Sequence, residues 1–360
     1  MTDIKTTLNE TLSGLRQTLC FNQIEIGPLG TPLTIDFYQK WLSANHYGSM
    51  NYLKEHFEVK KNPLQLASEL KSVISISQSY FPVTKPHTEK IAGRTALYAQ
   101  NEDYHYWLKE KLIRVIDELK KTYPNEVFLP FVDSGPVLER NWAYQNALGW
   151  FGKNTCLIHP EHGSLFFIAE ILTSIDAQNN SPIEALPDFC GKCQKCIEIC
   201  PTQALVSPRE MKADLCISYL TIEAKTSPPI ELRKKMGDWF YGCDLCQTVC
   251  PWNEKVFRQK NINKSSDTST DFILNLPSEE KAELVIFFKW LLTSSHKQIQ
   301  KKFLGTALGR AGAKGLKRNA LIVIANRNLT ELKNEVENLE LKELAELKSW
   351  TLAQLVNDKT

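Results

Sequence analysis

The pattern of apolar and polar positions divides the chain into three stretches. In the first, residues 71–80 (KSVISISQSY) put Ile74, Ile76 and Tyr80 on one side and Ser75, Ser77 and Ser79 on the other. That two-residue alternation predicts a strand with one face toward a core. Residues 126–132 and 164–172 are further strand candidates. Between the first two, Tyr104, Leu108, Leu112, Ile116 and Leu119 recur at helical spacing, with Glu110, Lys111, Arg114 and Asp117 on other faces. This predicts an amphipathic helix. Polar linkers are expected at 179–189 and 261–271, and helices beyond them at 281–292, 315–327 and 341–356. No clean repeat period joins those helices, although two or three of them suggest a small helical cap.

Composition narrows the class. The 360 residues carry a net charge of +2 and 42% hydrophobic residues, ordinary values for a globular protein of two or three domains. No apolar run reaches the ~18 residues of a membrane span, and the polar N-terminus lacks a signal-peptide core. The expectation is a soluble, cytoplasmic, monomeric protein without membrane attachment.

The ten cysteines change the picture, because eight fall between Cys190 and Cys250. Clustered cysteines in a reducing compartment point to metal. Cys190-x2-Cys193-x2-Cys196-x3-Cys200-Pro201 is the bacterial ferredoxin run for a [4Fe–4S] cluster. The second run, Cys243-x2-Cys246-x3-Cys250-Pro251, has Phe240 where its first cysteine would stand, and Cys216 is available to replace it. Crossed ligation predicts one cluster on Cys190, Cys193, Cys196 and Cys250 and another on Cys200, Cys216, Cys243 and Cys246. Zinc is the competing occupant, but it prefers cysteine pairs a dozen or more residues apart. Cys20 and Cys156 remain, and such cysteines are more often buried small hydrophobes than ligands. Two adjacent clusters make an electron wire, which leaves two classes open. One is an electron-transfer module. The other is a reductase, favoured because a ferredoxin needs no 180-residue N-terminal region.

The cysteine runs with CISYLTIE between them, and upstream DYH (103–105), PFVDSGPVLER, GWFGKNT and GSLFFIAEIL, resemble epoxyqueuosine reductases in order, and RNALIVIAN (318–326) resembles their C-terminal helical segment. The resemblance implies reduction of epoxyqueuosine to queuosine at the wobble position of tRNA. It implies two [4Fe–4S] clusters, a cobalamin and an electron donor that the sequence does not identify. The implied architecture is a multidomain α+β or α/β protein. A reductive-dehalogenase-like cobalamin domain would occupy 1–180, a ferredoxin-like domain 181–258 and a HEAT-like helical, tRNA-contacting segment 272–360. A cobalamin-dependent dehalogenase acting on a small molecule is the neighbouring alternative.

By the same resemblance Asp133, at the end of strand VFLPFV, is the proton donor, expected to be kept protonated by burial beside the corrin. Its plain reading is a cap, with Ser134, for a helix starting near Pro136. Lys60 stands where the family has arginine, and AQNE (99–102) departs from the family's pattern. Asp133, Asn154, Thr155 and Ser164 are candidate corrin contacts with Lys60, Gly152 a possible backbone contact, and Asp244 marks where a cluster would approach the cobalt. For Gly152, Asn154, Thr155 and Ser164 the plain reading is turn formation. Asp103-Tyr104-His105 begins like the D-x-H-x-x-G box of base-off cobalamin enzymes, but Leu108 occupies the glycine position, so His105 is read as a helix-start residue.

Charge supplies the last candidate surface. Positions 284–330 hold nine Lys or Arg and no acid. They are Lys289, Lys297, Lys301, Lys302, Arg310, Lys314, Lys317, Arg318 and Arg327. A 47-residue stretch without an acid in a nearly neutral protein is read as a phosphate-binding stripe, with Lys297, Lys301, Lys302, Arg310, Lys314, Lys317 and Arg318 as tRNA contacts.

Overall fold

The computed structural model describes residues 2–81, 93–100, 102–177, 184–259 and 281–355, with side chains of the first helix from Leu8 onward. The expected linker at 261–271, and part of the one at 179–189, lie outside the described residues. Four strands form one sheet in the order Gln23–Pro28, Ser72–Ser79, Phe166–Thr173, Phe128–Phe131. Every pairing is antiparallel, with Ile74 opposite Ile171 and Ser75 opposite Glu170. The three expected strands form, and the antiparallel sheet makes this part α+β rather than α/β. Ile24, Ile26, Ile74, Ile76, Ala169 and Ile171 share a core with helix Thr2–Thr18 and with Leu108, Leu112, Val115 and Leu119 of helix Tyr104–Thr122.

The other face is also buried. Ser75 and Ser77 are as buried as the isoleucines, because helix Glu139–Gln145 and its flanks cover them. Ser75 Oγ donates to Glu170 at 2.7 Å, and Asn146 Nδ2 donates to Ser75 Oγ and to the Val73 carbonyl. Burial pushes the Glu170 carboxyl well above the ordinary carboxylate range. Gly27 is required beneath this lid, because a Cβ there would lie 2.1 Å from Asn146 Oδ1.

The cysteine-bearing region is woven into the rest. Strand Trp239–Tyr241 pairs in parallel with Arg94–Thr95, and helix Pro251–Gln259 returns Val256 and Phe257 to the first core. Helices Lys281–Thr293, Gly312–Asn326 and Ala345–Gln354 share a single core with Ile217, Leu220 and Trp239–Tyr241. Packing therefore crosses the expected boundaries at 180 and 258.

That shared core corrects one expected tRNA contact. Arg318 is 2% exposed. Its guanidinium donates to the carbonyls of Leu220, Ala224 and Thr226. Asn319 Nδ2 donates to Thr221 and Phe240, and Asn326 Nδ2 to Arg233 and Gly237. The polar residues of RNALIVIAN thus strap the helical segment to the cysteine-bearing region. Burial lowers the Arg318 pKa to about 10, so it stays charged. Arg318→Ala leaves buried carbonyls unpartnered and is expected to cost about 3 kcal/mol in a denaturant titration. Arg310→Ala, at a side chain 58% exposed, should move the same midpoint by less than about 1 kcal/mol.

Candidate active site and metal centres

Asp133 follows the edge strand Phe128–Phe131 and has φ +58°, a left-handed conformation that aspartate tolerates better than most residues. Its side chain is 62% exposed, yet protein groups surround it in a recess. Tyr104 Oη donates to Asp133 Oδ2 at 2.5 Å, and His105 Nε2 lies 3.7 Å from the same oxygen. His105 Nδ1 is 2.7 Å from Asp103 Oδ1. The Asp133 N–H donates to Glu139 Oε1 at 2.6 Å.

The helix carrying Tyr104 and His105 starts where expected, but Asp103 caps it by accepting the His105 N–H. The imidazole of His105 is consequently free to lie between two carboxylates. Sequence reasoning missed this role, although the DYH match was its signal. Asp133 and Ser134 cap no helix: the next one begins at Glu139, with Leu138 before it.

Electrostatics reverse one expectation. Burial pushes the Asp133 carboxyl up, but the His105 imidazole 3.7 Å away, the hydrogen bond from Tyr104 and the Arg310 charge outweigh it and leave it below the ordinary range. The hydrogen bond to Asp103, then the Asp133 carboxylate 3.7 Å away, raises His105 to about 9. At neutral pH the pair is an aspartate carboxylate beside a histidinium. Without substrate the mobile proton resides on His105 rather than on Asp133.

The eight cysteines form two groups. Cys196 interacts with Cys250, Cys190 and Cys193, and Cys250 in turn with Cys190 and Cys193. Cys243 interacts with Cys216 and Cys200, and Cys246 with Cys243 and Cys216. Burial, then neighbouring thiols, raises the thiols of Cys196, Cys216, Cys243, Cys246 and Cys250. Among the described residues, no three cysteine sulfurs lie within 4.8 Å of one another. A tetrahedral zinc with bonds of ~2.3 Å would draw its sulfurs to about 3.8 Å, so the wider groups fit a cubane better. Trp150 packs edge-on to Phe189 and Trp252 beside Cys190 and Cys250. Cys156 lies near the second group, and burial pushes its thiol up to about 12. Cys20 is exposed rather than buried.

The remaining candidates build the seam between sheet region and cysteine loops. Lys153, unnoticed in the sequence, donates to the carbonyls of Gly191 and Cys193. Asn154 accepts the Cys156 N–H and donates to the Cys246 carbonyl. Ser164 Oγ donates to Gln247 and accepts from Asn253. Asp244 accepts the Leu97 N–H and the Gln247 amide. These hydrogen bonds of Asn154, Ser164 and Asp244 hold the seam, so their expected contact with a corrin gains no support from the geometry. Thr155, φ +70°, turns back onto the Gly152 carbonyl. Lys60 is buried over the Tyr38 ring and faces Glu139 and Asp133.

Much of the acid-free stripe is neutralised in space. Arg310 pairs with Glu223 through two nitrogens, Lys314 with Glu343, Lys289 with Glu335 and Arg327 with Asp238. Lys317 Nζ donates to the carbonyls of Leu292 and Ser294. Lys302 lies over the Trp290 ring, while Lys297 and Lys301 are exposed on helix His296–Lys302. Arg310 also faces Asp133 and Tyr52, placing one cation of the stripe at the recess.

A family model described as "Epoxyqueuosine reductase QueG, DUF1730" matches residues 60–134, and one described as "4Fe-4S double cluster binding domain" matches 189–253. An Escherichia coli epoxyqueuosine reductase is 34% identical over 327 residues, 88% of this chain and 82% of that protein. This chain belongs to the epoxyqueuosine reductase family. The enzyme of that name from Cyclobacterium marinum is 40% identical over 215 residues, 60% of this chain and 69% of its own. Among solved structures, an epoxyqueuosine reductase with an epoxyqueuosine-modified tRNA stem loop aligns with a TM-score of 0.80 at 26% identity, covering 98% of this chain and 91% of that one. An epoxyqueuosine reductase from Bacillus subtilis, solved with an aspartate catalytic loop swung out of the active site, aligns at 0.77 and 26% identity over the same shares.

Proposed function

We propose that this chain reduces epoxyqueuosine to queuosine in tRNA, with Asp133 and His105 managing the proton and the two cysteine groups carrying electrons. The observation that carries the reading is the Asp103–His105–Asp133 chain, set in one recess of a member of this family. Removing the epoxide oxygen as water takes two electrons and two protons. An alkoxide is a poor leaving group, so the oxygen must gain a proton as its bond to carbon breaks. Histidinium His105 supplies that proton through Asp133, which meets the substrate, and Asp103 stabilises the charge on the imidazole.

Cys190, Cys193, Cys196 and Cys250 are proposed to hold one [4Fe–4S] cluster and Cys200, Cys216, Cys243 and Cys246 the other. The recess fits cobalamin by its mix of groups: the Lys60 cation, the Thr155 turn and the Asp133 carboxylate can meet the amides and phosphate of a corrin. Bound there, cobalamin supplies low-potential electrons to the substrate carbon. A low-potential one-electron donor would recharge the clusters. Arg310 is placed to meet a tRNA phosphate at the recess, with Lys297, Lys301 and Lys302 as outlying contacts; a wobble base in a single-stranded loop can be splayed into such a site. No helix among the described residues is long and apolar enough to cross a membrane.

The test is direct. Anaerobic protein loaded with clusters and cobalamin is given a low-potential reductant and tRNA bearing epoxyqueuosine, and the digested nucleosides are weighed. Loss of one oxygen from epoxyqueuosine is expected. The rate should fall as pH rises through about 9, where His105 gives up its proton. An unchanged nucleoside, with clusters and corrin intact, overturns the reading.

A further inference from the structure

Glu139 is left unused by the reaction just described, yet it touches the catalytic loop at its backbone. It opens helix Glu139–Gln145, and its Oε1 accepts the Asp133 N–H at 2.6 Å. Asp133 sits in the left-handed region, so its peptide N–H is turned toward this acceptor and its side chain toward Tyr104 and His105. Two carboxyl groups thus approach each other at the root of the loop. We propose that Glu139 is the positioning residue of the Asp133 loop: as a neutral acid it holds the loop in the recess, and on ionisation it repels the Asp133 carboxylate and weakens that hold.

The surroundings agree with this. Glu139 faces Asp133 on the loop, Lys60 on helix Phe57–Lys61, Arg140 on its own helix, Tyr104 on helix Tyr104–Thr122 and Glu170 on the sheet. Burial, then the Asp133 charge, pushes the Glu139 carboxyl up to about 8, with the Asp133 N–H, Lys60 and Arg140 opposing. Two carboxyls whose surroundings push them apart in this way share one proton near neutral pH. Burial pushes Glu170 well up, and His105 stays cationic to about pH 9.

The sign follows from the proton count. The seated loop keeps the Glu139 proton up to about pH 8. The released loop, freed of the Asp133 charge, gives it up at lower pH. Seating therefore weakens as pH rises through the interval that ends near 8, and it is level above that point.

The inference rests on the assignment of Asp133 but not on the substrate, so its test needs no turnover. Amide hydrogen exchange is followed in the peptide spanning 130–137 of the cluster-loaded full chain, corrected for the intrinsic pH dependence of exchange. Native protein should lose about tenfold of its protection between pH 6 and 8. Glu139→Gln keeps an acceptor oxygen and cannot ionise, so its protection should stay level over that range. Glu139→Ala should be poorly protected throughout. Equal pH dependence in native protein and the glutamine variant, or full protection in the alanine variant, overturns the proposal. Intact cluster absorbance shows that each variant is folded. Failure of the tRNA assay alongside the expected exchange pattern would remove the substrate assignment and leave the latch.

Discussion

Asp133→Asn should lower single-turnover reduction of epoxyqueuosine tRNA by about 10²–10⁴-fold, the range a positioned proton donor contributes, while iron content and cluster spectra stay at native levels. The asparagine keeps an acceptor for the Tyr104 hydroxyl and the backbone N–H to Glu139, so the loop should remain seated. It cannot pass on the proton that His105 holds. His105→Asn should give a smaller loss and remove the fall in rate near pH 9, because Asp133 would then draw its proton from solvent. An Asp133→Asn enzyme that turns over at the native rate sinks the assignment. A variant that has lost its clusters would instead show that Asp133 supports the fold.

Cys216→Ala should abolish turnover and lower the iron content from about eight to about four atoms per chain. Cys216 lies outside both ferredoxin runs, and the crossed ligation gives it the place of the cysteine the second run lacks. The structure puts it with Cys200, Cys243 and Cys246, and a cubane missing one of four thiolates is expected to be lost on purification. Cys250→Ala should remove the other cluster, although Cys250 lies in the second run. Electron paramagnetic resonance of the reduced protein separates the two centres. If Cys250→Ala removes the same signal as Cys243→Ala and Cys216→Ala removes neither, the crossed ligation is wrong.

What the sequence determined by itself is the chemistry whose requirements are local. A cluster loop needs thiolates at fixed short spacings, so the cysteine runs were legible before any fold was known. The amphipathic helix over 104–122 and the three expected strands follow from periodicity for the same reason: burying one face imposes a repeat on neighbouring residues. The family resemblance singled out Asp133, because PFVDSGPVLER is a contiguous motif.

What only the tertiary structure decided depends on groups far apart in the chain. The serine face of strand Ser72–Ser79 reads as solvent-facing, yet a helix more than sixty residues later covers it and hydrogen bonds satisfy it. The basic stripe reads as an open phosphate surface, yet Glu223, Asp238, Glu335 and Glu343 neutralise much of it, and Arg318 is consumed by three carbonyls on another element. A run of like charge reports its neighbours in sequence, whereas field strength depends on neighbours in space. The protonation of the site is the sharpest case. Burial alone predicts a protonated Asp133, but the structure surrounds it with a tyrosine hydroxyl, a histidinium and a second carboxyl. These move the proton to His105 and Glu139, because hydrogen bonds to a carboxylate favour its charged form more than partial burial opposes it.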